Sequence, residues 1–238
     1  MDFTAPEWHA ELPSTNTELL RRAVSDRPPV AGTVLAVRRQ TAGRGRHDRS
    51  WISGRDLTFS LLLRPDSPPA RIPSLPMAVA LAVCDLLQHY GLTAQTKWPN
   101  DVLIGGRKIC GILSERAADA VVVGVGLNVN MDDAQATALD KPATSLKLET
   151  TVEHRVEEVL EELLERLPRW IDRWEQDGFE ALRNDFSARC YNLGRQVSVA
   201  EDRGKPTQGL LAGFGAAGQL LLEQRDGRRL EIWAGDLS

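Results

Sequence analysis

Apolar residues along this chain keep two rhythms, one of helical spacing and one of short runs, and together they predict a mixed α/β fold. Residues 14–18, Ser-Thr-Asn-Thr-Glu, read as a helix start. Thr15 and Glu18 have capping-box spacing, and Leu19, Leu20, Ala23 and Val24 follow as an apolar stripe. Residues 34–39 predict a strand, and a polar, glycine-rich loop follows from Gln40 to about Arg55. Residues 57–63 alternate weakly and read as a buried strand ending at Arg64-Pro65. Ser74 can cap a helix that carries Leu75, Val79, Ala82, Val83, Leu86, Leu87 and Tyr90 on one face and stops at Gly91. A strand is expected at 93–98, then a hairpin of 102–104 and 107–114 around Gly105-Gly106. Residues 121–129 predict a strand buried on both faces. Thr150 with Glu153 marks the start of a long amphipathic helix through Val156, Val159, Leu160, Leu163, Leu164 and Leu167. Pro168 is expected to kink or interrupt it before Trp170, Ile171 and Trp174.

After Gly178 the texture changes. A short helix at 179–190 precedes short strands at 196–200, 209–213, 219–224 and 229–233, separated by glycines and Asp226-Gly227. The pattern predicts two units: a larger α/β domain over residues 1–190 and a small β-module, expected to be a barrel, over 191–238.

Composition narrows the function classes. A chain of 238 residues, 42% hydrophobic, can bury one sizeable core or one core with a satellite. A formal net charge of -4 gives no reason to expect nucleic acid or an anionic membrane as partner. No apolar run approaches the roughly 18 residues of a membrane span. The N-terminal residues lack a basic stretch followed by an apolar one, so no signal peptide is expected and a cytoplasmic location is. Cys84, Cys110 and Cys190 are far apart and read as reduced thiols, while His9, His47, His89 and His154 lack metal-ligand spacing. No metal site is expected in the chain.

Four segments carry candidate chemistry. The first is Gln40-Thr41-Ala42-Gly43-Arg44-Gly45-Arg46-His47-Asp48-Arg49-Ser50-Trp51. Gly43 and Gly45 let backbone N–H groups approach a ligand, and arginine forks suit phosphate and carboxylate. Such a loop can hold a carboxylate against a phosphate, two anions that repel unless fixed positive charge lies between them. The same residues also suit a mobile basic loop or a nucleic-acid contact. The segment completes neither GxxxxGK[ST] nor GxGxxG before a helix. The second segment is Lys97-Trp98-Pro99-Asn100-Asp101 with the hairpin through Lys108 and Gly111 to Glu115. Its lysines suit anionic ligand groups, although Asn100 and Asp101 read equally well as turn formers. The third, Gly124-Val125-Gly126-Leu127-Asn128, places alternate glycines in a buried strand, a mark of close approach by a ligand or another backbone. The fourth, Ser14-Thr15-Asn16, can cap a helix and can hydrogen-bond a polar ligand head.

Taken together and in this order, the four segments resemble the biotin–protein ligases, the biotin–[acetyl-CoA-carboxylase] ligases. The resemblance covers most of the chain, and the stretch from Gly213 to Leu237 is similar, less specifically, to that family's C-terminal barrel. It implies a class II synthetase-like α/β catalytic domain with a small SH3-like β-barrel. It implies that biotin is activated by ATP to biotinyl-AMP and then passed to a lysine of a biotin carboxyl carrier protein, an acetyl-CoA carboxylase subunit. Mg²⁺ is expected on the triphosphate. The implied biotin-binding residues are Ser14, Thr15, Asn16, Gln40, Gly43, Arg44, Lys108, Gly111, Gly124 and Gly126. Lys108, Arg44 and Arg46 are the implied catalytic residues, holding the carboxylate and α-phosphate. Arg46, Arg49, Trp51, Lys97, Asn100 and Asn128 are implied to contact the nucleotide.

The family's longer bacterial loop pattern, Gly-Arg-Gly-Arg-Arg-Gly, here reads Gly43-Arg44-Gly45-Arg46-His47-Asp48. Ser14 and Thr15 stand close to Met1, so the monofunctional type without a DNA-binding domain is expected. The family includes both monomers and homodimers. A lipoate ligase shares the fold and reaction, but the Arg-Arg and Gly-Gly-Gly stretch ahead of a His is absent here. A non-catalytic biotin sensor would bind without releasing pyrophosphate. A nucleic-acid module would need a basic face interleaved with aromatics, and none is visible.

Overall fold

The computed structural model describes residues 1–46, 50–51, 54–200 and 206–238. Its larger unit is built on a seven-stranded sheet in the order β1-β2-β3-β7-β6-β5-β4. These strands are β1 (Glu7–Leu12), β2 (Val34–Gln40), β3 (Leu57–Leu63), β4 (Gln95–Lys97), β5 (Asp101–Ile104), β6 (Arg107–Ala117) and β7 (Ala120–Leu127). Only the β1–β2 pair is parallel. The sequence reading missed β1, whose burial pattern is that of a half-exposed, polar edge.

Both faces of this sheet are covered, which explains why all seven residues of β3 are buried and why its alternation is weak. One face packs against α2 (Leu75–His89) and α5 (Val156–Asp177), through Phe59, Leu61, Leu63, Val121, Val123 and Val125. The other packs against α1 (Thr15–Ala23), through Leu35, Leu62, Ala120 and Val122 with Leu19 and Ala23.

Several boundaries differ from expectation. Ser14, not Thr15, is the N-cap of α1, its side chain accepting from the Thr17 N–H at 3.4 Å. Ser74 ends a 3₁₀ turn over Pro69–Ser74 instead of capping α2 with its side chain, and its hydroxyl accepts from Trp174 Nε1 at 2.9 Å. Helix α2 is buried almost all round instead of along one stripe, because the sheet, α5 and the C-terminal unit enclose it. The Pro69–His89 stretch is accordingly long and apolar enough in composition to cross a membrane, although none was expected; 72% of its most apolar 18-residue window is buried within this fold. A separate short helix, α4 (Leu146–Thr150), ends at Thr151 with φ 63°, so α5 starts at Val156 instead of at Thr150. Pro168 lies inside α5, which continues through it. Trp170 and Trp174 beyond it are fully buried, and that packing outweighs the missing N–H.

The remaining helices are α3 (Asp133–Thr137), beyond β7 and also missed, and α6 (Arg183–Ala188). The C-terminal unit contains β8 (Gln196–Ala200), β9 (Thr207–Phe214), β10 (Leu220–Glu223), β11 (Arg229–Ile232) and β12 (Asp236–Leu237). They form a five-stranded antiparallel sheet in the order β11-β10-β9-β8-β12. This is the strand-rich unit expected from the sequence, with β12 added. It is fixed to the larger unit by Trp98 Nε1, which donates to the Gly218 carbonyl at 2.9 Å, and by Phe214 against Phe179 and Phe186. The three cysteines are buried; burial pushes the Cys84 thiol up to about 12, raises Cys110 still further and raises Cys190.

Candidate functional site

The site is a gap in the packing of the α1 face. Strand pairing aligns Thr58, Gly126 and Gly111 in one cross-strand row and Ser60, Gly124 and Leu113 in the next. Residues directly opposite each other share a face of the sheet. Further along the same face, Leu62 and Val122 fill the space under α1, but in these two rows Thr58, Ser60, Gly111, Gly124 and Gly126 put only small or polar groups there. The result is a cavity of about 760 Å³.

The glycines are required by what approaches them. A Cβ on Gly124 would stand 2.3 Å from Asn16 Oδ1, and one on Gly126 would stand 2.2 Å from the Trp51 indole. Trp51 is carried back over the sheet by its loop, which is pinched by an Arg44–Ser50 bridge and by the Trp51 N–H donating to the Gly43 carbonyl at 2.9 Å. Its Nε1 donates to Thr58 Oγ1 at 3.3 Å.

At one end of the cavity a buried polar network gathers. The Thr15 N–H donates to Gln40 Oε1 at 2.8 Å. Ser60 Oγ lies 2.7 Å from Thr15 Oγ1 and 2.6 Å from Asn16 Oδ1, and Asn16 Nδ2 donates to the Leu113 carbonyl at 3.1 Å. At the other end stand the cations. Lys108 reaches the cavity because of a bulge: Val102 pairs with Cys110 and Leu103 with Lys108, leaving Ile109 as the extra residue. Without it, alternation from Gly111 would put residue 109 towards the ligand; with it, Ile109 joins the core and Lys108 faces the cavity. Lys108 Nζ lies 2.7 Å from Asp101 Oδ1 and 6.0 Å from the centre of the Trp51 ring. Arg46 donates to Asn100 Oδ1 and to the Gly235 carbonyl, both at 3.1 Å, so the C-terminal unit helps to place it. Asn128 donates through Nδ2 to the Thr144 carbonyl at 2.9 Å.

Nearly all the residues singled out from the sequence come together here: Ser14, Thr15, Asn16, Gln40, Arg44, Arg46, Trp51, Asn100, Lys108, Gly111, Gly124, Gly126 and Asn128 line the cavity. Gly43 and Lys97 do not. Gly43 packs behind Trp51, and Lys97 is half-buried nearby, its ammonium held below the usual lysine range mainly by burial. Arg49 lies outside the described residues. Sequence reasoning missed Thr58, Asp56, Asp101, Lys141 and Asp236, which also line the cavity. Thr58 and Ser60 had a legible signal, two polar residues two apart in an otherwise apolar strand. Asp236 and Lys141 had none, since only the tertiary fold brings them here.

Asp56 closes the cavity's far side. Its Oδ1 accepts from the N–H groups of Val129, Asn130 and Met131 at 2.8, 2.9 and 3.0 Å. Burial raises its pKa despite these bonds. A carboxyl group whose folded pKa is raised contributes stability below its unfolded pKa and loses it as pH climbs through the folded value. Asp56→Asn is therefore expected to gain stability relative to the wild type as pH rises from the ordinary aspartate range towards neutrality. Urea unfolding of both proteins across that window checks it; equal pH slopes would remove Asp56 as the cause.

A family model described as the Biotin/lipoate A/B protein ligase family matches residues 8–132, and the chain belongs to that family. Several of its relatives and structural neighbours are, more particularly, biotin–protein ligases. It is 35% identical over 235 residues to the biotin–[acetyl-CoA-carboxylase] ligase of Mycobacterium tuberculosis (strain ATCC 25618 / H37Rv), covering 96% of this chain and 86% of the relative. It is 40% identical over 131 residues to the bifunctional ligase/repressor of Bacillus subtilis (strain 168), a match spanning 52% of this chain and only 40% of that protein. The fold is similar to that of the biotin protein ligase from Aquifex aeolicus in complex with biotin and ATP, with a TM-score of 0.86 and 29% identity over 99% of this chain and 98% of that one.

Proposed function

We propose that this chain is an ATP-dependent biotin–protein ligase. A carboxylate oxygen of biotin attacks the α-phosphorus of ATP, the bond from that phosphorus to the α,β-bridging oxygen breaks, and pyrophosphate leaves. The amine of an acceptor lysine on a biotin carboxyl carrier protein then attacks the acyl carbon of biotinyl-AMP. The carbon–oxygen bond breaks, AMP leaves, and the amine proton passes to solvent. No nucleophile from the chain is needed, so rate comes from positioning and charge.

The observation that carries this reading is the placement of Arg46 and Lys108 beside a cavity whose opposite end is rich in neutral donors and acceptors. A ureido head needs both donors and acceptors, which Ser14, Thr15, Asn16, Gln40 and the nearby backbone at Gly43, Arg44 and Gly111 offer. Gly126 and Gly124 let Trp51 and Asn16 settle close against the sheet, where they wall the cavity that takes the ring system. Arg46 and Lys108 neutralise the acid and the α-phosphate, while the Arg44 side chain is held by Glu115 and Thr17 at the loop's base. Asn100 and Asn128, with Trp51 and Lys97 nearby, serve the nucleotide, and Arg49 is assigned to it from the sequence alone. Mg²⁺, when bound with ATP, would screen the triphosphate charge. Asp101 and Asp236, on the same cavity wall, are oxygen donors of the kind it takes.

Isothermal titration with biotin and then lipoate, followed by an assay of pyrophosphate release, tests the proposal. Biotin binding, no response to lipoate, and pyrophosphate only when biotin and ATP are both present are expected. Binding of biotin without pyrophosphate release would make the chain a sensor and overturn the ligase reading.

A further inference from the structure

Glu115 lies on β6 opposite Val122, one step beyond the Gly124 row. It lines a neighbouring groove and not the ligand cavity, yet it ties together three segments that build the cavity. Its Oε2 accepts from Asn16 Nδ2 at 2.8 Å. Both of its oxygens accept from Arg44 Nη2, at 2.8 and 3.0 Å. Arg44 also donates to Thr17 Oγ1 on α1 at 3.3 Å.

These bonds have two consequences. The Asn16 amide has a single orientation: both Nδ2 hydrogens are taken, by Glu115 and by the Leu113 carbonyl, and Oδ1 faces Ser60. Flipping it would set Nδ2 against the Ser60 hydroxyl and leave a carbonyl oxygen facing the Glu115 carboxylate, two acceptors in contact. The guanidinium of Arg44, meanwhile, is drawn towards α1 and β6, whereas Arg46 points to Asn100 and the C-terminal unit. Arg44 and Arg46 therefore diverge. We infer that Glu115 is a positioning residue for the biotin end of the cavity, using the Arg44 side chain as a tether for the loop and the Asn16 amide as a fixed ligand-facing group.

This inference rests on the ligase reading above, and it concerns binding of the acid substrate, not the chemical step. Glu115→Ala is expected to raise the biotin KM about tenfold, with kcat at saturation and the ATP KM within about threefold of wild type. Glu115→Gln keeps an acceptor for Asn16 and loses the ion pair, so an intermediate rise of about threefold is expected. Arg44→Ala added to Glu115→Ala is expected to change the biotin KM by less than about twofold, since the two act as one unit.

A loss confined to kcat, or Arg44 and Glu115 effects that multiply independently, would overturn the inference. If Glu115→Ala does not fold by circular dichroism, Glu115→Gln and its cycle with Arg44→Ala decide. A wild-type chain that releases no pyrophosphate would instead sink the ligase reading, and direct biotin titration of the same variants would still judge Glu115.

Discussion

Lys108→Ala is expected to lower kcat for pyrophosphate release by roughly 10²- to 10³-fold while leaving the circular dichroism spectrum unchanged. Three features argue for so large an effect. The bulge at Ile109 exists at the cost of one ladder position and turns Lys108 towards the cavity. The ammonium stands beside the Trp51 ring and above Gly111, where a Cβ would lie 2.9 Å from Nζ, so its approach line is kept clear. Lys108 also neutralises Asp101 at 2.7 Å. Removing it deletes a cation and leaves a bare carboxylate facing two incoming anions. The loss should appear in single-turnover experiments at saturating biotin and ATP, because the charge is needed most as the α-phosphate is attacked. Wild-type turnover under those conditions would show that adenylation occurs elsewhere.

Gly126→Ala is expected to weaken biotin binding by roughly 10- to 100-fold, the range of an overpacked site. The added methyl would lie 2.2 Å from Trp51 Cε2 and 2.3 Å from Cζ2, so the indole must leave its place. Leaving costs it the bond to Thr58 and opens the cavity to water. The fold itself should tolerate the change, since strand β7 keeps its pairing with β3 and β6. A companion variant isolates the mechanism. If the clash with Trp51 is the cause, Gly126→Ala combined with Trp51→Ala should bind biotin no worse than Trp51→Ala alone. Titration calorimetry measures both, and a double variant much weaker than Trp51→Ala would point to a different role for this glycine.

The sequence was most readable where one physical effect dominates. Residues 57–63 and the 107–114 arm of the hairpin were placed well because burial on both faces and a Gly-Gly turn leave few alternatives. The glycines at 124 and 126 were read as points of close approach, and the structure supplies the approaching groups, Asn16 and Trp51. What escaped was tertiary in origin. Edge strand β1 is polar along much of its length, so no periodicity announces it. Thr150 and Glu153 have the spacing of a helix start, but the αL residue at 151 ends one helix and delays the next. At the site, the basic loop was conspicuous, whereas Asp101 looked like a turn former and Asp236 lay beyond the last expected strand, in the other unit. Nothing local marks a carboxylate that reaches the cavity from another unit. Glu115 stood inside a noticed motif without a role, because its partners are 71 and 99 residues away.

The burial of Cys84, Cys110 and Cys190 gives the folded protein a chemically quiet background. Alkylating reagents meet no exposed thiolate among them, so a cysteine introduced at Ser50, which is exposed on the pinched loop, becomes the sole site of maleimide labelling. A fluorophore there would report the loop's response to each substrate in real time, and the uptake of three further labels would signal that the chain had come apart.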